Sequence, residues 1–352
     1  MLNWLRAVAG FFERRIGWHR LGLLFSLSII GIAVVVLYRI LHNLDVGEVV
    51  NALRAVEAYH VGLAAAFVAA GYFTLTFYDL FALRTIGRPQ VPYRIAALAG
   101  FTSYSVGHNV GASVFTGGAV RYRIYSHWGL DAIDVAKICF VAGLTFWLGN
   151  AAVLGLGISY HPEAASAIDQ LPPWLNRILG LAVLGVLICY VAWVWSGPRV
   201  IGRREWKVKL PGGPLTLLQI VIGIIDLGCC ALAMYMLLPG EPNIGFVNLA
   251  VIFVTATLLG FASHSPGGLG VFDAAMLVAL WQFNKEQLVA GLLLFRLLYY
   301  IAPFALSLVI LGVREVMLST RSKRRRRAGS TPEVKVSAPL ESEVTRKRSN
   351  HG

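Results

Sequence analysis

Hydrophobic residues in this chain gather in blocks instead of following the three-four spacing of a soluble amphipathic helix. Val61–Tyr78, Ile138–Ile158, Leu175–Trp195, Leu215–Leu238 and Leu288–Leu311 are each long enough to cross a bilayer, which takes about 17–25 apolar residues in a helix. The run Leu21–Leu37 is longer than a signal-peptide core and no small-x-small site follows it, so it predicts a retained first span. Two further blocks are interrupted. Ile95–Gly118 is broken by glycines and polar residues, and Phe246–Phe261, apolar enough to span alone, runs on through Pro266 to Phe283. The pattern predicts an all-α polytopic integral membrane protein with about six full spans and two re-entrant helical hairpins.

Charge orients these elements, because Lys and Arg near span ends resist translocation. Most of the 31 Lys and Arg residues fall in Arg6–Arg20, Arg84–Arg94, Arg121–Lys137, Arg199–Lys209 and the stretch from Arg314 onward. The connections carrying Asp45, Glu48, Glu57, Glu163, Asp169 and Glu241 hold few. Both termini are therefore expected in the cytoplasm. Ile95–Gly118, basic on both flanks, should enter from inside and return there, whereas Phe246–Phe283 should dip in from outside. A full crossing and recrossing of the second would satisfy the charges equally well.

The order span, span, hairpin, span then occurs twice, with a seam near Pro172-Pro173. This divides a membrane domain at 21–318 into halves of about 21–171 and 174–318, flanked by a basic leader at 1–20 and a polar tail at 319–352. Three crossings per half invert one half relative to the other, a plan shared by many secondary transporters. Ala112-Ser113-Val114-Phe115-Thr116-Gly117-Gly118 and Ala262-Ser263-His264-Ser265-Pro266-Gly267-Gly268 agree at Ala, Ser and Gly-Gly in corresponding places. The leader reads equally as a helix in the headgroup layer or a poorly ordered basic arm. The tail cannot build a core, and its Lys323–Arg327 run either attracts anionic headgroups or fixes topology.

Composition supports the same class. Hydrophobic residues make up 57% and charged residues 14%, against about 25% charged in a soluble domain. The net charge of +13 would suggest nucleic acid in a soluble protein; here the positive-inside pattern accounts for it and no nucleic-acid partner is expected. Cys139, Cys189, Cys229 and Cys230 all lie in apolar blocks, so neither disulfide nor zinc chemistry follows from them.

Ionisable residues inside apolar blocks are expensive and mark candidate sites. They are Asp79, Asp226, Asp273 and Arg296, accompanied by His108, Asn109, Asn150 and His264. Asp226, near the middle of its span, should pair with Arg296 or face a hydrated cavity; Asp79 lies at a span end and reads equally as interfacial. Pro266, Gly267, Gly268 and Gly270 should break the second hairpin beside His264 and Ser265, leaving backbone groups unpaired. A half-helix beginning near Leu269 would favour an anion at its N-terminus. Gly117 and Gly118 should break the first hairpin, followed by Arg121 and Arg123 as candidate phosphate contacts. Gly62, Ala66 and Ala70 suggest a close helix contact.

Enzyme motifs are missing. Ser263 replaces the first glycine that a nucleophile elbow around Ser265 would need, His264, Ser265 and Asp273 lie too close in sequence for a triad, and there is no phosphate-binding loop or H-E-x-x-H zinc motif. No catalytic residue, metal or cofactor is expected.

The run Ser265-Pro266-Gly267-Gly268-Leu269-Gly270-Val271-Phe272-Asp273, then Leu294-Phe295-Arg296-Leu297-Leu298-Tyr299-Tyr300 and Pro303-Phe304, resembles the C-terminal signature of the lysylphosphatidylglycerol synthase transmembrane region, also called the UPF0104 or YbhN-like family. Gly117-Gly118-x-x-Arg121 resembles its first-half pattern, and the likeness covers roughly Leu21–Leu311. The resemblance implies a bacterial inner-membrane protein like the flippase region of the multiple peptide resistance factors, which moves aminoacylated phosphatidylglycerol between leaflets. The residues after Ser319 are too few for the soluble synthase domain of those factors, so lysyl transfer is not expected. It further implies polar cavity roles for Asp226, Asp273 and Arg296. The expected function is translocation of a phospholipid, anionic or aminoacylated, with Arg121, Arg123 and Arg296 meeting phosphate and Asp226 and Asp273 meeting a cationic group or a coupling proton. The alternative is a membrane subunit or docking platform for a separate lipid-modifying or glycosyl-transferring enzyme; a second copy of the chain or such a synthase are the candidate protein partners.

Overall fold

The structure, a computed structural model, describes residues 45–111, 113–203 and 206–328, with Val35 and Tyr38. The first span and the basic leader expected from sequence lie outside the described residues, as does most of the tail. In chain order the helices are α1 (Val46–Ala55), α2 (Ala58–Thr85), α3 (Tyr93–Val110), α4 (Ser113–Tyr125), α5 (Ala132–Tyr160), α6 (Pro162–Asp169) and α7 (Pro173–Trp195). Two short strands follow, β1 (Val200–Arg203) and β2 (Trp206–Lys209), then α8 (Gly213–Leu237), α9 (Phe246–Ala262), α10 (Val271–Ala279), α11 (Lys285–Arg296) and α12 (Ala302–Ala328). Two compact units result, one ending at Leu308 and the other beginning at Val309.

Among the described residues five helical stretches are long and apolar enough to cross a membrane: α2, α5, α7, α8 and the continuous stretch Lys285–Met317. This is an all-α polytopic membrane protein. The two interrupted blocks fold as helical hairpins with one long and one short arm. The short arms, α4 with 13 residues and α10 with 9, reach about 20 Å and about 13 Å at 1.5 Å per residue, less than the ~30 Å hydrocarbon core.

The core is built from both halves of the sequence. Ala64, Val68, Tyr72 and Leu75 of α2 pack with Leu227, Ala231 and Met234 of α8, Val251 and Phe253 of α9, and Phe272 of α10. The halves are therefore interleaved across the Pro172-Pro173 seam. Close approach of α5 and α8 depends on two glycines, since a Cβ built at Gly149 would lie 2.7 Å from the Cα of Gly223. This is the small-residue helix contact expected in a membrane core, but it is not where the sequence pointed. Gly62, Ala66 and Ala70 face outward, and a Cβ at Gly62 meets nothing within 4 Å. Four-residue spacing gives these residues one face but does not supply a neighbour for it.

Two other differences from the sequence reading are local. The basic connection Arg199–Lys209 contains an antiparallel strand pair in which Val200 is opposite Lys209 and Arg203 opposite Trp206. The acidic connections contain α1, whose N-terminus is capped by Asp45 accepting from the amides of Gly47 at 2.7 Å and Glu48 at 3.3 Å, and α6, which begins at Pro162. Short periodic segments of this length carry too few apolar residues to register beside the spans.

Candidate functional site

The first hairpin turns at Gly111, with φ 82°. Gly117 and Gly118, the expected break, lie inside α4. Their smallness serves packing instead: a Cβ at Gly117 would lie 3.0 Å from the carbonyl oxygen of Ser103 on α3. In the second hairpin the chain leaves α-helical geometry after Ser263. His264, Gly267, Gly268 and Gly270 all have positive φ, and Pro266–Gly268 form a single 3-10 turn. The two turns meet. A Cβ at Gly111 would lie 3.3 Å from Cγ of Pro266, and one at Gly267 would lie 3.5 Å from the carbonyl oxygen of His108.

Beside this meeting point is a cavity of about 240 Å³ walled by α3, α8, α9, both turns and the aromatic pair Tyr299 and Tyr300. Asp226, only 4% exposed, lines it from α8. Its Oδ2 accepts from the Tyr78 hydroxyl at 2.9 Å, and its Oδ1 makes no hydrogen bond. Nδ1 of His108, also on the cavity wall, is buried and likewise unbonded. The Asp226–Arg296 pair, one of the two arrangements expected, does not form, because Arg296 is taken by a closer carboxylate.

That carboxylate is Asp273. Arg296 donates from Nε to Oδ1 at 2.9 Å and from Nη2 to Oδ2 at 2.6 Å, and from Nη1 to the Gly267 carbonyl at 3.2 Å. Asp273 also accepts from the Gly270 amide at 3.0 Å. The arginine thus ties the non-helical turn to the start of α10, with Phe272 and Tyr300 beside its guanidinium at 5.9 Å and 5.4 Å. The half-helix at Leu269–Val271 consequently has its own carboxylate at its N-terminus, occupying the place expected for an external anion.

A second pair closes the first hairpin. Arg121 donates from Nη2 to Oδ1 of Asp79 at 2.7 Å and from Nε to Oδ2 at 3.0 Å, and the Tyr125 hydroxyl donates to the same Oδ2 at 2.7 Å. Asp79 is fully buried and Arg121 6% exposed. Asp79, which the sequence left equally open as interfacial or internal, is internal, and Arg121 points into the protein. Arg123, two residues on, is exposed.

The remaining sequence candidates do not assemble into catalytic machinery. Ser265 Oγ is 2.9 Å from Ser263 Oγ, the His264 ring faces the Ala262 carbonyl at 2.9 Å, and Asp273 is held by Arg296. No serine–histidine relay connects them. Among the described residues no three His, Cys, Asp or Glu side chains converge as metal ligands would.

Several participants escape the sequence reading. Tyr78, Tyr125 and Tyr104 satisfy or flank the buried charges, but tyrosine in an apolar block looks like core. Between α11 and α12 the helix loosens into a π turn, Leu297–Ile301. Two carbonyls there are captured by the first half of the chain: Tyr72 donates to Tyr299 O at 3.0 Å and Asn109 to Tyr300 O at 3.1 Å. The double tyrosine after Arg296 is its only trace in the sequence.

The family described as Lysylphosphatidylglycerol synthase TM region matches residues 21–307. An uncharacterised protein of Synechocystis is 28% identical over 83% of this chain and 91% of its own length. The inner membrane protein YbhN of Escherichia coli is 27% identical over 86% of this chain and 92% of its own. A phosphatidylglycerol lysyltransferase of Staphylococcus xylosus is 24% identical over 81% of this chain, which spans 33% of that enzyme.

Proposed function

Because the chain belongs to the lysylphosphatidylglycerol synthase transmembrane-region family, we propose that it is an inner-membrane lipid translocase that passes a phospholipid headgroup between leaflets through the cavity where the two hairpins meet. The observation carrying this reading is that Asp226, on the wall of the cavity, is buried with no cation beside it among the described residues and with an Oδ1 that makes no hydrogen bond. An unmatched buried carboxylate costs several kcal/mol, and such residues persist in membranes where they serve a polar path. Non-helical backbone at the same depth is tolerated where it lines a cavity.

Roles divide by what each charge already touches. Asp226 and His108 line the cavity and each has a buried polar atom without a hydrogen bond; they contact the headgroup or carry a proton with it. His264 and Ser265 line the same cavity beside the second turn. Arg121 and Arg296 are each held by an aspartate, so they position the hairpins and leave the phosphate to other groups.

Reconstitution into vesicles containing a tail-labelled fluorescent phosphatidylglycerol or phosphatidylethanolamine tests this, with an impermeant quencher reading leaflet exchange. The parent protein should accelerate exchange, and Asp226→Asn should slow it by at least about tenfold, the loss of about 1.4 kcal/mol of barrier lowering. Exchange no faster than in empty vesicles, for every lipid tried, would overturn the reading and favour a docking platform.

A further inference from the structure

We infer that the cleft between α4 and α5 is an acyl-chain site, seating one tail of the lipid whose headgroup occupies the central cavity; this rests on the translocase reading above. The cleft measures about 750 Å³, within the ~300–1,000 Å³ of small-molecule sites. Its two walls have different origins in the sequence. α4 is two-sided: Gly117, Arg121, Ile124 and Tyr125 are buried, while Val114, Phe115, Ala119 and Tyr122 include the most exposed apolar side chains nearby, Phe115 at 81%. The buried side is fixed by the Asp79 pair, so the apolar side is held open toward the cleft.

α5 presents the other wall through Ala132, Val135, Ala136, Cys139, Phe140 and Gly143. These positions are three and four apart, the seam by which a helix normally receives another helix. α4 touches this seam at Gly118, whose added Cβ would lie 3.7 Å from Sγ of Cys139, and leaves it open further along α5, where a Cβ at Gly143 meets nothing within 4 Å. Nearly all of the lining is hydrocarbon. What selects a lipid tail over other apolar occupants is continuity: Val114 and Phe115 line both this cleft and the central polar cavity. A molecule occupying both must be apolar along its length and polar at one end. A helix would fill the cleft alone, and a free headgroup the cavity alone.

The test uses the full chain in vesicles containing phosphatidylethanolamine with a photoreactive diazirine on one acyl chain. Illumination and peptide mapping should place the label on the facing sides of α4 and α5 in excess of the exposed face of α7. Gly143→Phe, which builds into open space, should cut that labelling by about tenfold, about 1.4 kcal/mol of occupancy, while Gly143→Ala retains it and both variants keep the parent's melting temperature. Labelling spread evenly over lipid-facing helices and indifferent to Gly143→Phe would overturn the site. So would disulfide formation between Trp147→Cys and single cysteines placed in 21–37, which would make the chain itself the occupant. Exchange rates separate this inference from the translocase reading. A labelled cleft in a protein that moves no lipid defeats only translocation. Undiminished labelling and exchange in Gly143→Phe defeat only the cleft.

Discussion

Gly111 rests against Pro266, so the turn of the first hairpin packs directly on the turn of the second. The contact requires glycine twice over. Its φ of 82° is left-handed, and an added Cβ would come within 3.3 Å of the proline ring. Gly111→Ala should therefore lose about 1–2 kcal/mol from backbone conformation alone, seen as a lowered melting temperature in detergent. Gly118→Ala should be neutral or slightly stabilising, because that residue is helical and its Cβ would have ordinary contact at 3.7 Å from Cys139. Equal losses from the two would place the turn wrongly.

Arg296 and Asp273 should behave as a unit. Arg296→Gln leaves a partly buried carboxylate without its cation and should cost about 3–5 kcal/mol. Adding Asp273→Asn removes the stranded charge and should restore much of that loss. A thermal double-mutant cycle measures the coupling, and strictly additive losses would show that the pair does not hold the turn.

The Asp79 pair makes a stricter demand on side-chain shape. Asp79 accepts from both Nε and Nη2 of Arg121, a fork that lysine cannot reproduce. Arg121→Lys should thus destabilise nearly as much as Arg121→Gln, within the about 3–5 kcal/mol expected for breaking a buried pair. Stability like the parent's in Arg121→Lys would mean that charge alone suffices there.

Where α5 crosses α8, either Gly149→Ala or Gly223→Ala should overpack the contact and cost about 1–3 kcal/mol. Gly62→Ala, with open space around its Cβ, should cost nothing. Denaturation in detergent compares the three, and a loss at Gly62 matching those at the crossing would contradict this packing.

Whatever solvent dictates is legible in the sequence. Apolar runs long enough for a bilayer become helices, and proline with three glycines marks the second turn. Choice among partners is not legible. Asp226, Asp273 and Arg296 stand out as costly charges, yet their pairing depends on which helices approach, so sequence alone leaves Asp226 between Arg296 and a cavity and does not assign Arg296 to Asp273. Gly117 and Gly118 mislead for a related reason: glycine serves turns and close helix packing alike, and only the neighbour at Ser103 distinguishes them. The strand pair and the π turn leave almost no pattern because each spans only a few residues.

The π turn at Leu297–Ile301 also fixes what lengths the chain tolerates. A π turn closes i to i+5 and so holds one residue more than an α turn. Deleting a single residue there would restore an unbroken α-helix, and because an α turn with one residue fewer closes about the same angle, α11 and α12 would keep their phase while the bulge disappeared. The carbonyls that Tyr72 and Asn109 now engage would return to the helix ladder. Loss of one codon here would thus remove two of the bonds joining the first half of the chain to the second, even with the tyrosines of the cavity wall left in place.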